Sequence, residues 1–176
     1  ALHAAAQFGH ENVVRFLLEE CDANVDQVSE NGCTALYTAA QNGHEHIVHC
    51  LVKEYGADVN IATDDGSTPL MAAAACKHRD IVVILTKHGA NAQALHSGAG
   101  TAADISKAKG APAEQTAYLE ARTHCAKPGC SGAGLKKCAS CLVLYYCCGE
   151  CQVSHWPAHK DECTRSAELV AGLEQE

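Results

Sequence analysis

The sequence predicts a mainly α chain in two parts: a solenoid of short helical repeats, then a small module built around cysteine and histidine. Three observations predict it. Residues of like chemistry recur every 34 or 33 positions through the first hundred residues. Each recurring unit holds two short apolar-periodic segments joined by a tight turn. Beyond that array, eight of the twelve cysteines fall within residues 125–163, in pairs at spacings that suit a soft metal ion.

The repeats align in register. Thr34 falls on Thr68, Leu36 on Leu70, His44 on His78, and Ile47-Val48 on Ile81-Val82. Leu2, Gly9 and His10 each stand 34 residues before Leu36, Gly43 and His44, and Thr101 stands 33 after Thr68. Within a unit, Thr34 or Thr68 suits a helix N-cap, and Ala39-Ala40 or Ala73-Ala74 permit close helix packing. Gly43 suits a left-handed turn. A second helix then carries the apolar stripe Ile47, Val48, Leu51 and Val52, and Gly56 or Gly89 ends it before an extended turn. Each unit leaves apolar faces open on both sides, so the array gains its stability by stacking.

Charge bounds the function. The formal net charge is −8; residues 1–120 hold 7 Lys+Arg against 15 Asp+Glu, while residues 121–176 are balanced at 6 and 6. Neither part offers the clustered positive charge that grips nucleic acid. No run of about 18 apolar residues occurs, so no membrane partner is expected. Scattered thiols at Cys21, Cys33, Cys50 and Cys76 beside a dense Cys/His block favour a reducing, intracellular setting, cytoplasm or nucleus. Those four are expected to be reduced and buried or partly buried.

The repeat core, seen as TALYTAAQNGH (34–44) and TPLMAAAACKH (68–78), resembles the ankyrin repeat. The resemblance covers about residues 1–110 and has four departures: Lys77 replaces a turn glycine, Thr86 replaces a buried aliphatic residue, and the fourth copy has Ala103 for leucine and carries Pro112 where its second helix should begin. That copy is expected to be a degenerate cap. Because Ala1-Leu2-His3 enters in mid-motif, the native protein is expected to extend upstream. The resemblance implies that partners bind at hairpin tips and at the exposed side of each first helix. Those positions are Gln7, Phe8, Glu30, Asn31, Cys33, Gln41, Asn42, Asp64, Asp65, Ser67, Ala75 and Cys76, a polar face with an acidic rim that favours a basic or neutral protein. It also implies that His10, His44 and His78 hydrogen-bond neighbouring backbone. His46 and His49 are expected on an exposed helix face.

In the second part the ligands fall into four pairs: Cys125 and Cys130, Cys138 and Cys141, Cys147 and Cys151, His159 and Cys163. Eight ligands make two closed tetrahedral zinc sites with no open position for a reacting water. About forty residues cannot bury enough surface to fold unaided, so folding is expected to depend on the two structural zinc ions. Spacing leaves sequential and interleaved pairing equally open, and leaves Cys148, His155 and His124 as rival ligands. The pattern Tyr146-Cys147, Cys151-Gln152, Trp156, His159-Lys160, Cys163 resembles the MYND zinc finger. That resemblance implies interleaving: Cys125, Cys130, Cys147 and Cys151 at one zinc, and Cys138, Cys141, His159 and Cys163 at the other. It selects Cys147 over Cys148. It further implies protein binding, in some members of proline-rich peptides, with Gln152 and Trp156 as the contacts.

The expected organisation is an array over 1–110, a helical cap or linker over 111–124, the finger over 125–163 and a tail over 164–176. The expected function is a non-enzymatic scaffold, with proteins as partners and no small-molecule substrate. The alternatives are a piece of a larger MYND enzyme, such as a lysine methyltransferase, or a RING-like ubiquitin ligase component.

Overall fold

Threonine starts the helices. Thr34 is extended, and its hydroxyl accepts the Tyr37 N–H at 3.0 Å; Thr68 does the same for Met71 at 3.3 Å. Thr101 and Asp104 complete a reciprocal capping box. Such a cap contributes about 1 kcal/mol. The computed structural model describes residues 1–123 together with the two-residue strands at 136–137 and 145–146.

The described elements alternate in pairs. They are α1 (Leu2–Gln7), α2 (Glu11–Glu19), α3 (Ala35–Asn42), α4 (Glu45–His49), α5 (Pro69–Ala75), α6 (Arg79–Lys87), α7 (Ala102–Ala108) and α8 (Ala113–Thr123). First helices stack α1 on α3, α3 on α5 and α5 on α7. Second helices stack α2 on α4 and α4 on α6. The first layer closes because its inner residues are small: Ala5, Ala6, Ala39, Ala40, Ala73 and Ala74 are all buried. Ile47, Val48, Leu51 and Val52 fill the second layer as the periodicity predicts, with Ile81, Val82 and Leu85 beside them. His46 and His49 lie exposed.

The second repeat contains a feature that periodicity missed. After α4 the chain runs on as a π-helical turn, Cys50–Glu54. From His44 to the left-handed Gly56 the chain takes 12 steps, against 11 from His78 to Gly89. The π turn takes up the extra residue in this repeat; the first repeat, also 12 steps from His10 to the left-handed Asp22, takes it up after α2 ends at Glu19. The π turn also presents Glu54 to Arg15, which donates from both terminal nitrogens at 2.5 and 2.7 Å, and Tyr55, whose hydroxyl donates to Glu19. Arg15 in turn holds the Glu54 carboxyl below its ordinary range, and the Glu19 bond pushes the Tyr55 phenol up to about 12.

Departures from the repeat pattern are each absorbed locally. Thr86 is buried at its aliphatic position, and its hydroxyl reaches the Val82 and Val83 carbonyls at 2.8 and 3.0 Å. Pro112 does not abolish the last helix. Its carbonyl accepts the Thr116 N–H at 3.2 Å, and α8 begins at the next residue. In the same cap Gln115 is buried where the other repeats place Val14, Val48 and Val82. Its amide donates to the Ala74 carbonyl and to Ser106 Oγ, each at 3.1 Å. One expectation needs correcting: Cys50 is buried and Cys33 half-buried, but Cys21 and Cys76 are exposed. Both stand beside a residue of positive φ, Asp22 and Lys77, where the chain turns out of the packed layer.

Two compact units divide the chain, Ala1–Thr116 and Ala117–Glu176. In the second, Tyr118 and Leu119 are buried and the Arg122 guanidinium lies 3.5 Å from the Tyr118 ring centre. Strands β1 (Lys136–Lys137) and β2 (Tyr145–Tyr146) pair antiparallel, with Lys136 opposite Tyr146 and Lys137 opposite Tyr145.

Candidate functional site

Between the helix pairs the chain projects as three fingers, residues 22–33, 56–67 and 89–100. A side-chain ladder fixes their bases. Asn24 accepts from the Asp26 N–H, Asp26 from Asp58, Asp58 from Asn60, Asn60 from Asn91 and Asn91 from Gln93, at 2.7–3.0 Å. Short Asx side chains are suited to this, since they bond backbone a residue or two away as readily as a neighbouring loop. The tips are stitched as well: the Asp64 N–H donates to the Asn31 carbonyl at 3.3 Å, and His96 and Ser97 reach Asp65 at 3.4 Å. The fingers therefore stand side by side as one edge.

First helices brace that edge. His3 Nε2 bonds the Cys33 carbonyl at 2.8 Å, and the Tyr37 hydroxyl reaches Ser67 Oγ at 3.5 Å, the same pair of positions one repeat later. Repeats are joined by the histidines: His44 Nε2–H donates to the Gln7 carbonyl at 2.9 Å and His78 to the Gln41 carbonyl at 3.2 Å. The His10 ring instead lies 6.3 Å from the Phe8 ring.

Of the positions expected to meet a partner, Gln7, Phe8, Gln41, Asn42 and Cys76 are exposed along the ends of the first helices. Glu30, Asn31, Asp64 and Asp65 are exposed on the fingers. Cys33, Ser67 and Ala75 are half-buried, the first two being engaged by the braces just described. The register brings these residues into rows, since Gln7, Gln41 and Ala75 are equivalent, as are Glu30 and Asp64. Charge on the fingers is one-sided. Residues 22–33 and 56–67 hold six carboxylates, Asp22, Asp26, Glu30, Asp58, Asp64 and Asp65, and the three fingers contain no Lys or Arg. The Asp65 carboxyl is held below its ordinary range by the Thr63 hydroxyl, then by the Ser67 N–H and His96.

Residues that the sequence reading overlooked lie on the same edge. Val28, Ala62 and Leu95 are equivalent in the repeat register, and all three are exposed, Leu95 by 73%. The signal was present, since the 34- and 33-residue period applies to loops as well as helices. Elsewhere, a shallow cavity of about 300 Å³ opens between successive turns, lined by Gly9, Glu11, Gly43, His44, Glu45, His46 and Ile47. Among the described residues no cluster of His, Cys, Asp or Glu is arranged to hold a metal, and no helix is long and apolar enough to cross a membrane.

The expected zinc ligands Cys125, Cys130, Cys138, Cys141, Cys147, Cys151, His159 and Cys163, and the expected contacts Gln152 and Trp156, lie outside the described residues. What is described in this part of the chain is the antiparallel pairing of Lys136–Lys137 with Tyr145–Tyr146. Seven thiols and one imidazole form a donor set that suits zinc in closed tetrahedral coordination.

Comparison with known proteins places both halves. Residues 1–96 match the family described as ankyrin repeats in three copies, and residues 123–163 match the MYND finger. Over 29 residues the chain is 55% identical to histone-lysine N-methyltransferase ASHR1 of Arabidopsis thaliana, covering 16% of this chain and 6% of that one. Over 31 residues it is 55% identical to N-lysine methyltransferase SMYD2-A of Danio rerio, 18% of this chain and 7% of that one. Over 54 residues it is 41% identical to ubiquitin carboxyl-terminal hydrolase 16 of Arabidopsis thaliana, 30% and 5%. The chain thus spans 5–7% of the length of these relatives.

Proposed function

Since this chain belongs to the ankyrin-repeat family and carries a MYND finger at residues 123–163, we propose that it is an adaptor, holding one protein on its repeat array and another on its finger. Both modules serve protein–protein interaction and neither is catalytic. The observation that carries the adaptor reading is the finger edge. Its rows of exposed acidic and apolar side chains exceed what stacking requires, and a rigid edge loses little entropy on binding.

A MYND finger binds zinc. In this reading it holds two ions, one on Cys125, Cys130, Cys147 and Cys151 and one on Cys138, Cys141, His159 and Cys163. The ions act by ordering the chain, and Gln152 and Trp156 then offer a flat contact for a proline-rich peptide, whose extended form is already ordered before binding. The array occupies 1–110, a cap or linker 111–124, the finger 125–163 and a tail 164–176. The setting is a reducing one inside the cell.

The test is affinity capture with the intact chain and two variants. Glu30→Arg/Gln41→Arg/Asn42→Arg/Asp64→Arg alters the finger edge and the helix ends of the array together, all exposed positions, and Trp156→Ala alters the MYND finger. The expected result is that each variant loses a different set of partners by quantitative mass spectrometry, with zinc content unchanged. Loss of the same set by both variants, or of none by either, overturns the adaptor reading. A second reading, that the chain is the interaction part of a longer enzyme, is favoured by the finger's likeness to the methyltransferases and the ubiquitin hydrolase. Methyl transfer or ubiquitin cleavage by the native full-length protein, absent from this chain alone, would establish it.

A further inference from the structure

We infer that the outer edge of the three fingers docks a basic protein segment whose apolar side chains sit on Val28, Ala62 and Leu95; the inference rests on the adaptor reading of the array. Three observations support it. First, the apolar row is open. Leu95 is 73% exposed and Val28 44%, and neither contributes to the packed layers. Equivalence in the repeat makes them a row by construction, so a ligand can meet all three at once. Second, a line of carboxylates runs beside the row, with Glu30 and Asp64 two residues further along their fingers and Asp65 next to Asp64. Among residues 1–123 the Lys and Arg residues stand on or beside helices: Arg15, Lys53, Lys77, Arg79, Lys87, Lys107, Lys109 and Arg122. A cationic partner is therefore favoured at the fingers, where six carboxylates meet no Lys or Arg, over the rest of residues 1–123, where nine carboxylates stand among eight Lys and Arg. Third, the fingers are tied to one another at Asn31–Asp64, Asp26–Asp58, Asn60–Asn91 and Asp65–His96. The docking edge is thus preorganised.

Spacing limits the shape of the occupant. Stacked helices lie about 8–10 Å apart, so a segment that meets one finger per repeat has to repeat its apolar side chain at about that period. A polyproline-II-like segment rises about 3.1 Å per residue with three residues per turn, so every third side chain faces the same way about 9 Å further on. The segment that fits has an apolar residue at every third position and Lys or Arg between.

The probe is a labelled nonapeptide, (Lys-Lys-Leu)3, titrated onto the intact chain by fluorescence anisotropy, with (Lys-Lys-Ser)3 and (Glu-Glu-Leu)3 as comparisons. The expected result is binding of the first alone, weakening as salt rises. It should weaken about tenfold, as loss of a principal contact does, in Val28→Ser/Leu95→Ser and in Glu30→Gln/Asp64→Asn. Gln41→Ala/Asn42→Ala should leave it unchanged. All these side chains are exposed, and circular dichroism verifies that each variant stays folded. Equal binding of the serine peptide overturns the apolar row, and equal binding of the acidic peptide overturns the charge argument. Binding lost in the helix-end variant but kept in the finger variants moves the partner to the helix ends, overturning this inference and sparing the adaptor reading. Absence of binding overturns it as well, while the capture experiment above judges the adaptor separately. Self-association that Leu95→Ser abolishes would name a second copy as the occupant and overturn it likewise.

Discussion

Gly43 and His78 act as one unit. Gly43 has φ 81°, and a Cβ built there would stand 2.6 Å from His78 Cε1. Gly9 stands in the same relation to His44, at 2.9 Å. The third repeat breaks the rule by placing Lys77 at φ 65°. It can do so because the following repeat has Ala111 at the histidine position, recognisable from the shared bond to the residue five back, Ala111 to Ser106 as His78 to Ala73. Gly43→Ala should therefore cost more than the roughly 1–2 kcal/mol of a left-handed residue, and His78→Ala should restore part of the loss; urea titration of the double-mutant cycle checks this. Lys77→Gly, which removes strain and meets no ring, should raise the midpoint slightly. Thiols follow exposure: Cys21 and Cys76 should label first with N-ethylmaleimide and Cys50 last, read by mass spectrometry. Burial pushes the Cys50 thiol up to about 11, so the unfolded thiol ionises first and stability falls as pH rises from about 8.5. Glu54 and Asp65 work the opposite way. Their carboxyls are depressed by Arg15 and by the Thr63 hydroxyl, so their contribution is present at neutral pH and disappears under acid, below about pH 4. Both are exposed and solvent-screened, so that effect is small.

At the scale of elements, the helices were legible in the sequence because caps, alanine pairs and the Ile47-Val48-Leu51-Val52 stripe each report local physics. The π turn was not legible. A single additional residue leaves the apolar stripe intact, and counting does not expose the turn either, since His10 to the left-handed Asp22 also takes 12 steps while α2 stays regular over Glu11–Glu19. Deletion of the exposed Lys53 should convert the turn to the spacing of α6. The loss should be small, as for any exposed, solvent-screened ion pair such as Arg15–Glu54, and read as a slight shift in thermal melting; a collapse of the helical signal would contradict this account. The finger edge was half legible. Glu30, Asn31, Asp64 and Asp65 followed from the family resemblance, but Val28, Ala62 and Leu95 did not, since a lone apolar residue in a polar loop carries no pattern until three copies are aligned. Pro112 illustrates the converse. Counted as a departure of a degenerate cap, it in fact stands immediately before α8, because the first turn needs no N–H from that position.

On the scale of the whole molecule, the two units are stabilised by different means. The array holds itself by stacking and by hydrogen bonds from one repeat to the next. The finger, with few apolar residues, is expected to depend on metal. Chelation with excess EDTA should abolish peptide binding by the finger and leave the helical circular dichroism of the array largely intact. Zinc analysis by mass spectrometry should give about two ions per chain, as eight ligands in two closed tetrahedral sites require. Simultaneous loss of helix and zinc would show that the halves do not fold independently. The pairing of glycine with the next repeat's histidine has a final consequence for how such an array could be rearranged. A repeat whose second helix begins with histidine fits behind a predecessor that has glycine in the turn between its own two helices, as at Gly9 before His44 and Gly43 before His78. Behind Lys77 it does not, because that turn accepts only a successor lacking the ring. Repeat order is thereby encoded in junctions of two residues, and a shuffled gene would fail at one of them while every repeat within it remained sound.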